Sequence, residues 1–260
     1  ILAGIRFALG AIIIWIWGRF NKIDFRIQKA ELSSLILLSL LFSAQICTFN
    51  FGTKYTTAGR SSVLINVSPF LITILAHFFI PNDRLTIKKI IGLILAFLGI
   101  FIVFRDKIET TEPHLLGDVI MLTSGFLFSV LTIYTKKLMQ NIGVYKILLW
   151  EMVFGLVPFF GISLIFERNA HYAFSPVLVI ALVYQGALVA SVAFIVWTTL
   201  LSRHSASRIS AFLFATPLFG IGLSAIILHE AITVFLVIGA VLVAIGIYIV
   251  NKCPNGYRVC

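Results

Sequence analysis

Residues 90–104 read IIGLILAFLGIFIVF, and residues 237–251 read VIGAVLVAIGIYIVN. Ile91, Gly92, Leu95, Gly99, Ile100, Ile102 and Val103 of the first stretch recur as Ile238, Gly239, Leu242, Gly246, Ile247, Ile249 and Val250 of the second. Neither stretch carries a charge. Neither alternates apolar with polar residues, as a half-exposed strand or a barrel strand must. Each reads as the centre of a helix crossing the roughly 30 Å hydrocarbon core of a bilayer. The recurrence places one such helix at the end of each of two related halves.

The correspondence continues upstream with the register shifted by one residue. Ala58, Arg60, Ser62 and Pro69 match Ala206, Arg208, Ser210 and Pro217. In each copy an Arg opens a helix, a Pro follows near the membrane midplane, and an acid closes it: Asp83 in one half, Glu230 in the other. A weaker match pairs Gly10 with Gly155 and sets Arg6 opposite Glu151.

Working outward, apolar blocks occupy 1–17, 32–53, 57–80, 85–104, 115–135, 146–166, 177–201, 206–228 and 233–251. Hydrophobic residues make up 60% of the chain and charged residues only 12%, where a soluble domain carries about 25% charged. The expected fold class is an all-α polytopic membrane protein. The offset between the copies spans an odd number of helices, so the second copy enters the membrane inverted. The first repeat (1–104) holds one helix fewer than the second (115–251). The reading is therefore nine transmembrane helices of an expected ten, in two inverted five-helix repeats, with 252–260 as a tail. Inverted repeats of this kind are a transporter architecture, since two equivalent halves can exchange inward-open and outward-open forms.

The net charge of +10 is a topology signal. Alternate loops place Arg19, Lys22, Arg26, Lys29, Arg84, Lys88, Lys89, Lys136, Lys137, Lys146, Arg203, Arg208, Lys252 and Arg258 on one face. Lys54, Arg60, Arg105, Lys107 and Arg168 fall on the other. Basic loops stay cytoplasmic, so the richer face and the C-terminus are expected inside. No basic face lies on a soluble module, which argues against nucleic acid as a partner. Cys47 sits in an apolar block, and Cys253 and Cys260 in the tail, so no disulfide framework is expected. His229-Glu230 opens like a zinc-protease motif, but Thr233 stands where the second His belongs. No phosphate-binding glycine loop is present. No cofactor, no metal and no enzymatic activity are expected.

The small-residue helix start, the midplane Pro, the terminal acid and the Gly-rich last helix resemble the EamA-type members of the drug/metabolite transporter superfamily. Ala58 to Asp83 with Gly92 and Gly99 carry the resemblance in one half, and Ala206 to Glu230 with Gly239 and Gly246 in the other. Arg6-Phe7 also resembles the family's second helix. The first repeat departs from the pattern by ending in Pro81-Asn82-Asp83 where a Glu is usual. The resemblance implies ten helices, a central cavity, and export or exchange of small metabolites across a bacterial inner membrane. It also implies a homodimer through the last helices.

Particular residues follow from this frame. Pro69 and Pro217 are expected to kink their helices as hinges or cavity walls. Gly92, Gly99, Gly239 and Gly246 are expected to let helix backbones approach closely. Gln45, Asn50, Asn66, Ser68, Gln185, Ser191, Trp197 and Thr216 are deep polar groups and the substrate-cavity candidates, since a buried polar side chain needs a partner or water. Trp15 and Tyr184 are aromatic candidates for the same pocket. Arg6 and Glu151 lie about five residues, or roughly 7 Å, inside their segments. That is shallow enough to snorkel, and leaves them as anchors or as gating and proton-coupling groups. His77 and Asp118 are expected at the interface. Without a nucleotide site, transport must run on the gradient of the substrate or of a coupled proton or other ion. The rival reading is a helical scaffold or receptor subunit with a dry interior.

Overall fold

The computed structural model describes residues 1–105, 115–166, 175–228 and 233–252, and for 224–228 the backbone alone. Among these residues are 9 helical spans long and apolar enough to cross a membrane. Each begins and ends within about one turn of the block read from hydropathy. Glu230, His229, Cys253, Cys260, Lys107, Arg168 and Arg258 lie outside the described residues.

In chain order the helices are α1 (Leu2–Phe20), α2 (Lys29–Tyr55), α3 (Ala58–Ile65), α4 (Ser68–Phe79), α5 (Ile87–Phe104), α6 (Leu115–Leu138) and α7 (Val144–Phe166). They continue with α8 (Pro176–Tyr184), α9 (Phe194–Arg203), α10 (Ala206–Ala211), α11 (Ala215–Leu228) and α12 (Val234–Asn251). Several spans are thus built from more than one helix, and the reasons are local.

Pro69 does not kink a continuous helix; the chain breaks there. Pro has no N–H, and its ring clashes with the carbonyl four residues earlier. α3 accordingly ends at Ile65 and α4 begins at Ser68, with Pro69 in its first turn. The Ser68 hydroxyl donates to the freed Ile65 carbonyl at 2.7 Å. The Asn66 amide donates to the Ser62 carbonyl at 2.6 Å. The second copy is disturbed at the matching place. α10 ends at Ala211, a 3₁₀ turn covers Phe212–Phe214, and Pro217 lies in the first turn of α11. At Pro69 two non-helical residues, Asn66 and Val67, interrupt the span, whereas at Pro217 the coil stays helical and tightens to 3₁₀ winding just before the proline.

A feature without a proline signal separates α8 from α9. Gln185–Ala193 is a π-helix, a wider coil found frequently at functional sites. The Ser191 hydroxyl donates to the carbonyls of Gly186 and Ala187, and so ties down the loosened ladder.

Packing divides the chain into two units, Ile1–Cys47 with Tyr134–Arg203, and Thr48–Ile133 with His204–Cys260. In the first, Phe7, Phe42, Phe159 and Phe194 form a ring cluster, Phe7 lying 4.7 Å from Phe42 and 5.4 Å from Phe159 between centroids. Gly10 faces Ala190 of the π segment, and Gly155 faces Ser43 of α2. These are pseudo-equivalent contacts: the two glycines matched by the repeat each admit the neighbouring span.

In the second unit α5 and α12 meet at backbone distance. A Cβ added at Gly92 would lie 2.7 Å from the Gly246 carbonyl oxygen, and one at Gly99 would lie 2.6 Å from that of Gly239. The pairing runs antiparallel. The repeat that turns Gly92 into Gly239 and Gly99 into Gly246 exchanges the two contacts. Val63, Leu93, Ala96, Ile100, Phe104, Ala211, Phe214, Val243 and Val250 fill the surrounding core. In lipid there is no hydrophobic drive between helices, so close backbone approach and dispersion hold such a seam. The four glycines are occupied by one another within the chain, so a second copy would have to dock elsewhere.

Candidate functional site

Polar constellations lie in or at the ends of these spans. The first joins α1 to the π segment. Gly186 and Gly10 bring the two backbones together: a Cβ on Gly186 would lie 2.6 Å from Leu9 Cβ, and one on Gly10 would lie 2.9 Å from Ala190 Cβ. Between them Arg6 Nη1 donates to Gln185 Oε1 at 3.3 Å. The guanidinium carbon sits 4.4 Å over the Phe7 ring, within cation–π range. Arg6 is half-buried. Its Nε is buried without a hydrogen-bond partner among the described residues. Two residues singled out from the sequence for different reasons are thus brought together.

Glu151 does not snorkel. It is 4% exposed, and no described side chain pairs with it. Its span is held at the end by Lys146 Nζ against Glu31 at 2.6 Å and by Trp150 Nε1 donating to the Phe25 carbonyl at 2.8 Å. Arg6 belongs to the opposite end of α7, where neighbouring Gly4 faces Phe160. Nine residues of helix, about 13 Å, separate Phe160 from Glu151, so the two charges are not partners.

The second and third constellations clamp the starts of α3 and α10. At α3, Thr56 Oγ1 donates to Asp118 Oδ1 at 2.8 Å and Arg60 Nε donates to the same oxygen at 3.1 Å. Arg60 Nη2 pairs with Asp118 Oδ2. At α10, the Ser207 N–H donates to Asp83 Oδ2 at 3.0 Å, and its hydroxyl to Oδ1. Lys89 Nζ pairs with Asp83 Oδ1 at 2.6 Å and donates to the Arg84 carbonyl at 2.8 Å. Asp83 is 2% and Lys89 8% exposed. Each acid adds negative charge where a helix N-terminus favours it.

The other candidates are distributed as follows. Asn66, Ser68 and Ser191 are buried, and their heads serve main-chain carbonyls at the helix breaks. Gln45 is buried at 7% exposure. Asn50 and Thr216 are exposed, Trp197 is half-buried, and Pro69 is buried while Pro217 is half-buried. Trp15 and Tyr184 are exposed. His77 is exposed and accepts the Leu85 N–H on Nδ1 at 3.3 Å. Sequence reading missed two features. Lys89 counted only as a loop cation, although it is the buried partner of Asp83. The π segment carried no signal beyond Gly186 and Ser191 inside an apolar run.

Among the described residues no group of three or more His, Cys, Asp or Glu could hold a metal ion.

Comparison with known proteins agrees with this architecture. A crystal structure superimposes with a TM-score of 0.84 over 96% of this chain and 87% of that one, at 15% identity, and so shares the fold. An uncharacterized transporter of Bacillus subtilis, YoaV, is 25% identical over 250 residues, covering 95% of this chain and 85% of its own. A protein of Escherichia coli named "Probable amino-acid metabolite efflux pump" is 27% identical over 256 residues, covering 95% and 84%. An uncharacterized transporter of Archaeoglobus fulgidus is 28% identical over 252 residues, covering 96% and 88%. The model of the EamA-like transporter family matches residues 1–105 and again 115–252. The chain belongs to the EamA-like transporter family, and is an integral membrane transporter.

Proposed function

We propose that the protein is a secondary transporter that exports or exchanges small metabolites by alternating access between two inverted repeats. The observation that carries this reading is the α5–α12 seam. The Gly92–Gly246 and Gly99–Gly239 contacts exchange under the repeat, as expected of halves that enter a membrane in opposite senses. Two such halves can trade conformations and expose the same polar positions first to one face and then to the other. The interruption before Pro69, the 3₁₀ turn before Pro217 and the loosened Gln185–Ala193 segment supply places where a span can bend. The name of the Escherichia coli relative makes amino acids and their derivatives the first solutes to try. In this reading the protein lies in a bacterial cytoplasmic membrane with its C-terminus inside.

Glu151 is the proton-coupling residue of this mechanism. An unpaired carboxyl inside a span is costly, and such groups mark proton relays. The Glu151→Gln variant keeps the shape and removes the titration. It is expected to transport with no dependence on an imposed pH gradient; unchanged dependence excludes the role.

The transport reading itself is tested by cysteine accessibility at Gln45, Asn66 and Gln185, in protein with its native cysteines replaced. Reaction with a membrane-impermeant thiol reagent from either face is expected. If all three stay unreactive while loop positions label, the interior is dry and the chain is a scaffold.

A further inference from the structure

The geometry points to the Arg6–Gln185 pair as an oxyanion-binding site, taking the carboxylate or phosphate group of a ligand. As a substrate site it rests on the transport reading above.

A guanidinium inside a span is expensive unless it pairs with an anion or with main-chain carbonyls. Arg6 has neither among the described residues. Its one hydrogen bond goes to a neutral amide oxygen at 3.3 Å, and its other contact is the face of Phe7 at 4.4 Å. Of the five N–H donors of the head group, Nε is buried and unused. Arg6 as a whole is half-buried rather than sealed.

The surroundings hold that head in place. Gly186 and Gly10 close α1 onto the π segment at backbone distance. Phe7 is 1% exposed and fixed by the rings of Phe42 and Phe159. Gln185, spending its oxygen on Arg6, keeps its NH₂ donors for a ligand. The result is a planar cation backed by an aromatic ring, with neutral donors beside it. Such a fork matches a carboxylate or phosphate bidentately. A lysine would supply the charge without the fork.

The oxyanion has two sources, a soluble substrate or a lipid headgroup, and the test separates them. Full-length protein is reconstituted in phosphatidylcholine vesicles and offered a ¹³C-labelled soluble bacterial metabolite extract. Mass spectrometry identifies the solutes exchanged. In parallel, retention of phosphatidylglycerol by the purified protein is measured by native mass spectrometry. The variants are Arg6→Gln, Arg6→Lys and Gln185→Leu, each accepted only if monodisperse.

With a substrate oxyanion, the exchanged solutes carry an acid group. Their flux falls more than tenfold in Arg6→Gln, is partly kept in Arg6→Lys, and weakens in Gln185→Leu. With a headgroup oxyanion, flux is indifferent to the variants and phosphatidylglycerol retention is lost in Arg6→Gln. If wild type exchanges nothing, the transport reading fails, and the lipid arm alone decides the site. The inference is overturned if Arg6→Gln changes neither measurement, or if the exchanged solutes lack an acid group while lipid retention is unchanged.

Discussion

Replacing Gly99 by Ala should measurably weaken the α5–α12 seam. The added Cβ would lie 2.6 Å from the Gly239 carbonyl oxygen and 2.9 Å from Val243 Cγ2, where ordinary contact begins at 3.4 Å. The backbone oxygen cannot rotate away, so the helices must part by most of an ångström. Overpacking of this kind costs about 1–3 kcal/mol. Against it, Ala is favoured over Gly in a helix interior by about 1 kcal/mol. Gly161→Ala isolates that second term, because a Cβ there meets nothing within 4 Å. The difference between the two variants is then the steric cost alone, about 1–3 kcal/mol. Gly246→Ala, the repeat equivalent of Gly99→Ala, places its Cβ 2.5 Å from the Gly92 carbonyl oxygen and should cost a similar amount. Reversible unfolding by dodecyl sulfate titration in mixed micelles, followed by far-ultraviolet circular dichroism, reads the differences. If Gly99→Ala and Gly161→Ala move the midpoint alike, the backbone contact does not exist as described.

Two further changes probe the helix ends and breaks by the same titration. Asp83→Ala strips the counter-charge from Lys89, which is only 8% exposed, and leaves Ser207 without its acceptor. A loss of about 3–5 kcal/mol is expected for such a broken buried pair, and Asp83→Ala with Lys89→Met should recover part of it. Ser68→Ala removes the hydroxyl that serves the Ile65 carbonyl; a loss of about 1 kcal/mol is expected, and none if Pro69→Ala is already present to restore the missing N–H.

The spans were legible because bilayer thickness imposes length and apolarity together, and both are visible in runs such as 90–104 and 237–251. The glycines at Gly92, Gly99, Gly239 and Gly246 were legible as a packing face because a seven-residue spacing returns to one side of a helix. Pro69 and Pro217 announced a disturbance, but whether a helix bends or breaks depends on what takes the freed carbonyl. That depended on Ser68 and Asn66 turning inward. Lys89 was misread because a cation near a helix start looks the same whether it reaches water or folds back on an acid six residues earlier. Glu151 was read as able to snorkel from its depth alone; its burial is decided by neighbours from distant sequence. The meeting of Arg6 with Gln185 spans 179 residues, and no local pattern encodes it.

Each compact unit of the chain draws helices from both halves, residues 1–47 joining 134–203 and residues 48–133 joining 204–260. This has a consequence for biogenesis. Helices of the first half enter the bilayer with their partners not yet synthesised, and the glycine face of α5 stays open to lipid until α12 emerges. A ribosome adding about 5–20 residues per second leaves that face unpaired for on the order of ten seconds. Truncation between Arg203 and α12 should leave the second unit unfinished while the first has all its helices, and hand the chain to membrane proteolysis.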